Sequence, residues 1–240
     1  MPCAYIGTSG WHYKHWKGTY YPADIKAADQ FSVYQERLGT VEVNNTFYRL
    51  PEAETFGNWA AASKEDFIFS VKASRFFTHN KKLNVSKEEM HLFFDRVSHL
   101  GEKLGVILFQ LPPKWKMNTE RLRYFLSNLP EGYRYTFEFR DQSWYHEEVY
   151  SILKEFNIAF CIYELAGHRS PEVITADFVY IRLHGPGEKY SGDYSKQVLA
   201  AWARKCKKWM KEGRDVYVYF DNDIGGHAGF NAGELKNMLL

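Results

Sequence analysis

Short alternations of apolar and polar residues recur along the chain. Between them lie stretches whose apolar residues return every three or four positions. The first period predicts β-strands, and the second predicts amphipathic helices. Strands are predicted at Ala4–Thr8, Thr40–Asn44, Phe67–Lys72, Gly105–Gln110, Arg134–Phe139, Ile158–Tyr163, Phe178–His184 and Asp215–Phe220. One helix, SKEEMHLFFDRVSHLGEK, has Ser86 as its N-cap and Met90, Phe93, Phe94, Val97 and Leu100 on one face. TERLRYFLSNL follows with Thr119 as cap, and SWYHEEVYSILKEFN begins at Ser143. SKQVLAAWARKCKKWMKEG runs from Ser195 to Gly213, a residue suited to the position after a helix end. Leu165–Thr175 is expected to hold at most a short turn of helix.

Alternating strands and helices imply parallel pairing with right-handed crossovers. Eight such units in 240 residues match the size of a (β/α)8 TIM barrel, an α/β fold, here expected as a single domain over residues 1–240. A doubly wound open sheet is the second choice, and GTSGW after the first strand lacks the G-x-G-x-x-G spacing.

Strand parity then sorts the side chains. Glu42 and Asn44 alternate with Val41 and Val43, so in a barrel covered by helices they point inward. The same parity turns in Ser70 and Lys72, Gln110, Thr136, Glu138 and Arg140, and Tyr180, Arg182 and His184. It also turns in Tyr217, Tyr219 and Asp221, with Gly7 and Ser9 on strand one. Most of the polar members lie near strand carboxyl ends, where active sites of this fold sit.

Composition changes this picture little. Apolar residues make up 45% and charged residues 25%, as in soluble globular proteins. A net charge of +2 implies no strong nucleic-acid or membrane partner by charge alone. Cys3, Cys161 and Cys206 form no C-x-x-C pair, which suggests a reducing compartment. No signal peptide or membrane span is apparent, so the expected location is cytoplasmic. Oligomeric state is not encoded in any recognisable pattern.

The inward set suggests an enzyme acting on a small polar, anionic substrate. Glu42 and Glu138 are candidate acid and base, with Lys72 and His184 assisting. Asn44, Gln110, Arg140, Arg182 and Asp221 are candidate substrate contacts, with Trp11, Tyr48 and Trp144 in mouth-side loops. Gly185 and Gly187 after strand seven, and Gly225 and Gly226 after strand eight, are candidates for cradling a phosphate. The reaction class (hydrolase, lyase or isomerase) is left open. No cofactor is expected; a divalent metal on Glu42, Glu138, His184 and Asp221 is a minor alternative, as is a Schiff base on Lys72. Two rival readings stand beside the enzyme. One is a closed ion-pair network with no chemistry. The other is a nucleic-acid-binding or repair module using Lys14, Lys17, Lys81, Lys82 and Lys114.

GTSGWHY, EVNNTFYR, FSVK, FQLPP, EFRDQSW, VYIRLHG and YVYFDND occur in this order from residue 5 to the end. Together they resemble the YecE-like family, domain of unknown function seventy-two. The resemblance implies a TIM-barrel fold and no established activity. It implies a polar pocket on Glu42, Asn44, Lys72, Gln110, Glu138, Arg140, Trp144, Arg182, His184 and Asn222. Asp221 stands where the family usually has Asn, and Tyr163–Glu164 stands where many members have Asp.

Overall fold

Period-two segments become strands at nearly every expected place in the computed structural model, which describes residues 1–240. They are β1 (Ala4–Ser9), β2 (Thr40–Val43), β3 (Ile68–Lys72), β4 (Leu104–Gln110), β5 (Arg134–Glu138), β6 (Ala159–Phe160), β7 (Ile162–Leu165), β8 (His168–Arg169), β9 (Phe178–Leu183) and β10 (Asp215–Phe220). All join one curled sheet in the order β6-β5-β4-β3-β2-β1-β10-β9-β7-β8. Every pairing is parallel except β7 with β8.

The expected sixth strand is split. β6 pairs with β5 and β7 pairs with β9, and Cys161 alone separates the two halves. Cys161 still donates its N–H to Phe137 O at 2.8 Å. Leu165–Thr175 forms no helical turn. Instead Glu164 and Leu165 pair back on Arg169 and His168 in a hairpin, closed by Ala166 and Gly167 at positive φ. Two left-handed residues in succession suit a tight hairpin turn and interrupt a helix.

The helices are α1 (Gln30–Arg37), α2 (Ala53–Ala62), α3 (Lys87–Val97), α4 (Thr119–Asn128), α5 (Glu147–Glu155), α6 (Lys196–Lys211) and α7 (His227–Leu239). Ser86 caps α3 in a capping box: its side chain accepts from Glu89 N, and the Glu89 carboxylate accepts from Ser86 N. Ser86→Ala is expected to cost about 1 kcal/mol, read as a lower urea midpoint with unchanged slope. Two caps differ from expectation. Asn118, not Thr119, caps α4, because its Oδ1 reaches Arg121 N at 2.8 Å. Ser143 does not begin α5: Asp141 holds it in a 3-10 turn, and the helix starts at Glu147 behind His146. Ser195 caps α6, and Gly213 follows its end with φ 89°.

Two apolar layers flank the sheet. Val41, Val43, Phe69, Val71, Ile107, Phe109, Val179, Ile181, Val216 and Val218 belong to the large core under the helices. A second cluster of only nine buried residues, including Val106, Leu108, Tyr180, Tyr217 and Tyr219, occupies the other side. The inner side thus has too few apolar groups to be filled by them alone. Its remaining positions, toward the strand carboxyl ends, are the polar set. Gly7 is steric: a Cβ there would lie 2.2 Å from Thr40 O, so only glycine lets β1 lie this close to β2.

Candidate active site

Strands β1, β2, β5 and β9, with Asp221 just past β10, deliver polar side chains to one buried network, because alternate residues share a face. Glu42 is fully buried and accepts five hydrogen bonds from four donor groups. Ser9 Oγ donates to its Oε1 at 2.6 Å, and Tyr180 OH donates to its Oε2 at 2.6 Å. Arg182 adds Nε at 3.1 and 3.0 Å to the two oxygens and Nη2 at 2.8 Å to Oε1. The same guanidinium donates from Nη1 to Glu138 Oε2 at 2.7 Å and from Nη2 to Asp221 Oδ2 at 3.2 Å. Arg140 Nε donates to the other oxygen of Glu138.

His184 completes the array. Arg140 Nη2 and Arg182 Nη1 both donate to its Nε2, each at 3.2 Å. Nε2 must therefore keep its lone pair, which puts the ring proton on Nδ1. Nδ1 lies 2.9 Å from Asp221 Oδ2, close enough for the ring N–H to favour the ionised carboxylate.

Electrostatics follow from these contacts. Burial pushes the Glu138 carboxyl up, but Arg140 and Arg182 outweigh it and hold the group well below the usual carboxylate range. Asp221 is also held low: burial opposes this, and His184 and Arg182 prevail. Burial would lower Arg182, yet Glu42, Glu138 and Asp221 raise it. Burial, then Glu138, raises the Cys161 thiol, whose Sγ lies 3.9 Å from Glu138 Oε2, so it is no thiolate nucleophile.

Lys72 differs from every other charge here. Its Nζ donates to the neutral amide of Gln110 at 2.7 Å and lies 4.4 Å from the centre of the Phe47 ring. It makes no ion pair. Burial and the Arg182 charge lower it to about 8, only partly offset by Glu138 and Glu42. The same positive field reaches His79, which burial, Lys72, Arg75 and Arg140 hold below its usual value.

Two clefts open beside the network. One, of about 350 Å³, is walled by Gln110, Arg140, Gln142, Tyr163, His168 and Lys189. No carboxylate lines it, and the Arg140 guanidinium lies over the Tyr163 ring at 4.8 Å. The other, of about 370 Å³, is walled by Ser9, Trp11, Tyr13, Asn44, Asn45 and Trp59. A larger cavity of about 670 Å³ lies between α3 and Tyr133, at the amino-terminal end of β5, and no residue of the buried network lines it.

The structure thus brings together Glu42, Lys72, Gln110, Glu138, Arg140, Arg182, His184 and Asp221. Other expected residues stand elsewhere. Trp144 is fully buried, stacked on Phe139, with its Nε1 bound to Trp115 O; it is core because its flat face matches the helix side of β5. Asn222 is also buried and points its Nδ2 at Gly192 O and Asn231 Oδ1, tying the last loop to α7. Tyr48 is a rim residue, 75% exposed, and Trp11 packs edge-on to Trp59 in the second cleft. Among the glycines, Gly185 is steric, since a Cβ would lie 2.2 Å from Ser191 O, and Gly226 packs on Thr19. Two amides around the start of α7 are taken by the preceding loop: Gly226 N by Asp223 O and Ala228 N by Asn222 O. Gly187 has open space around it, and Gly225 contacts only His227. Gly185, Gly225 and Gly226 stand at positive φ, where they shape chain turns. No group of three or more His, Cys, Asp or Glu side chains is arranged to hold a metal, because Arg182 is the cation shared by Glu42, Glu138 and Asp221. Of the basic side chains proposed to follow a nucleic-acid backbone, Lys81 pairs with Glu89 at 2.7 Å. Lys14, Lys17, Lys82 and Lys114 are exposed.

Ser9 and Tyr180 were turned inward by parity but given no role in the site, and Tyr163 and Lys189 were not expected to wall a cleft. Parity was the available signal for Ser9 and Tyr180, which share faces with Gly7 and Arg182. Lys189 stands in a loop, where no period applies.

No helix is long and apolar enough to cross a membrane. Among curated proteins, UPF0759 protein YunF of Bacillus subtilis is 26% identical, with 98% of this chain and 94% of the relative aligned. UPF0759 protein YecE of Escherichia coli is 28% identical over 57% of this chain and 48% of its own length. A solved DUF72 family protein from Thermotoga maritima superposes with TM-score 0.90 at 29% identity, covering 99% of both chains. The D-psicose 3-epimerase of Clostridium cellulolyticum, at 9% identity and TM-score 0.54, shares the fold alone over 98% of this chain and 95% of its own. A family model described as "Protein of unknown function DUF72" matches residues 5–240, and this chain, with its curled parallel sheet and polar carboxyl-end network, belongs to that family.

Proposed function

We propose that this protein is a single-domain (β/α)8-barrel enzyme that performs acid–base chemistry on a small anionic substrate at the carboxyl-end mouth of the sheet. Barrel closure is supported by the two halves of Ala159–Leu165, which pair with β5 on one side and β9 on the other. The observation that carries the activity is Lys72: a largely buried amine, brought to about 8, with a neutral hydrogen-bond partner and no counter-ion. An amine with that value exchanges a proton near neutral pH, which ordinary lysines do not.

In this reading Arg140 and Lys189 take the anionic group in the carboxylate-free cleft, and Lys72 moves the proton. Glu138 would position Arg140. Both of its oxygens are engaged by guanidinium groups and its carboxyl is held ionised, so it is a poor acid. Glu42 is likewise fully engaged and would fix Arg182. The proton-moving role expected of the two glutamates therefore passes to Lys72. His184 would relay a proton only after releasing the two guanidinium donors on Nε2.

Calorimetric titration with inorganic phosphate and with small carboxylates tests the anion site. Arg140→Gln is expected to weaken binding about tenfold or more, the worth of one charge-assisted contact. Unchanged affinity in that variant, or no anion binding by the wild-type protein, would sink the reading. Tight duplex or single-strand binding with a steep salt slope would favour the nucleic-acid alternative instead.

A further inference from the structure

The cleft on the other side of Lys72 has a chemistry of its own. Its walls hold Trp11 and Trp59 at 5.5 Å, edge to face, with the amides of Asn44 and Asn45 beside them. It contains neither lysine nor arginine nor a carboxylate. The Oδ1 of Asn44 is buried with no hydrogen-bond partner in the protein. An unpaired buried acceptor is unfavourable, and a turn of the Asn44 amide toward the cleft it lines would give that oxygen a donor from a bound molecule. Indole faces and amides together suit a flat ring or a sugar face that carries O–H or N–H groups.

The two clefts are coupled through the buried network. Ser9 lines the aromatic cleft and donates to Glu42; Glu42 holds Arg182; Arg182 holds Glu138; Glu138 holds Arg140 in the anion cleft. Lys72 lies between them as well. On one side it touches Phe47, two residues beyond Asn45 of the aromatic cleft. On the other it donates to Gln110 of the anion cleft. Lys72 walls neither cleft itself, but its contacts with Gln110 and Phe47 put its ammonium beside the line from one to the other.

Resting on the anion-site reading above, we infer that the substrate is bipartite: a small ring compound bearing hydrogen-bond donors, seated against Trp11, Trp59 and Asn44, joined to one anionic group held by Arg140 and Lys189, with the bond to be altered lying over Lys72. A phosphorylated sugar and a mononucleotide share this chemistry. The aromatic cleft reads the ring, the cationic cleft reads the charge, and neither alone brings a reacting atom to the amine.

Affinities for inorganic phosphate, a hexose 6-phosphate, adenosine 5′-monophosphate and uncharged adenosine, measured by calorimetry on the wild type, Asn44→Ala, Trp59→Leu and Arg140→Gln, test this. At least one of the two ring phosphates should bind about tenfold or more tighter than phosphate itself. Asn44→Ala and Trp59→Leu should each remove most of that gain and leave phosphate affinity unchanged. Arg140→Gln should weaken both. Which ring compound gains identifies whether the cleft reads a sugar or a base. Ring compounds binding no tighter than phosphate overturn the inference while leaving the anion site standing. So does equal loss of phosphate affinity in Asn44→Ala and Trp59→Leu, which would mark a general disturbance of the mouth. Loss confined to Asn44→Ala and Trp59→Leu, with Arg140→Gln unchanged, instead sinks the anion site and keeps the ring cleft. Trp59→Phe retains a flat face and is expected to keep the gain, which guards against a folding failure in the leucine variant.

Discussion

Arg182→Met is expected to remove about 3–5 kcal/mol of stability at neutral pH, the cost of leaving buried carboxylates without their cation. For a chain of this length, that is a fall in melting temperature of roughly 6–20 °C. The reason is the sharing: one guanidinium serves Glu42, Glu138 and Asp221, all buried, so one substitution takes a cation from three groups at once. Arg140 still holds one oxygen of Glu138, and Ser9 and Tyr180 still donate to Glu42, which keeps the loss finite. The pH dependence separates this from simple loss of packing. In the wild type, Glu138 and Asp221 have depressed values, so their contribution is present above the ordinary carboxylate range and is lost as pH falls through the folded-state values. Without Arg182 the sign reverses for a buried carboxyl: its folded value rises above the unfolded one, and protonation relieves it. The deficit of Arg182→Met should therefore be largest near pH 7.5 and shrink toward pH 5, in urea melts at the two values. An equal deficit at both would show that the methionine is merely a bad fit. Adding Glu42→Gln and Glu138→Gln to the variant should restore part of the loss, since neutral amides carry no orphaned charge.

Parity carried most of what could be read in advance. Once TVEV and VYIRLH are taken as strands, Glu42 must share a side opposite Val41 and Val43, and Arg182 must share one with Tyr180 and His184. That argument needs no tertiary knowledge, and it brought the network residues to one face. What it cannot supply is the partner of each charge. Glu42 and Glu138 looked alike as candidate acid and base, yet one is enclosed by hydroxyls and Arg182 and the other by two arginines. Lys72 looked like one more member of a balanced set, and only coordinates reveal that it is the cation left without a carboxylate. The break at Cys161 was hidden for a different reason. Ile158–Tyr163 has a continuous strand pattern, and its division comes from pairing with two neighbours far apart in sequence. Trp144 and Asn222 lie beyond strand ends, where parity stops; their burial is decided by what Trp115 and Asn231 offer them. Thr119 lost the cap to Asn118 by one residue, both being good cap formers.

Lys72→Met is expected to abolish turnover of the bipartite substrate while leaving the fold slightly more stable. Both halves follow from one fact. At pH 7 the lysine is ionised in the folded and unfolded chains, and folding moves that charge into a site that disfavours it, lowering its value from 10.5 to about 8. Such a shift corresponds to a folding cost on the order of 2 kcal/mol, after allowing for the part of the side chain that still meets solvent. Methionine removes the charge and keeps the length; it forfeits the Gln110 hydrogen bond and the attraction of the Phe47 ring, which returns part of the gain. The net expectation is about 1 kcal/mol of added stability at pH 7, read from urea midpoints. The sign fixes its pH dependence. Between about 8 and 10.5 the wild-type folded chain has shed the proton that the unfolded chain keeps, so wild-type stability rises with pH and the advantage of Lys72→Met should fade across that window. A direct measurement needs no substrate: acetylation of Lys72 by acetic anhydride, followed by mass spectrometry, should show half-maximal reactivity near 8, well below the exposed lysines. A midpoint near 10.5, or a variant that loses stability at pH 7 by more than about 1 kcal/mol, would mean that Lys72 is held by its surroundings as an ordinary ammonium. The proton-transfer role assigned to Lys72 would then fail, and no carboxylate of the network could take it over, because each is already bound to an arginine.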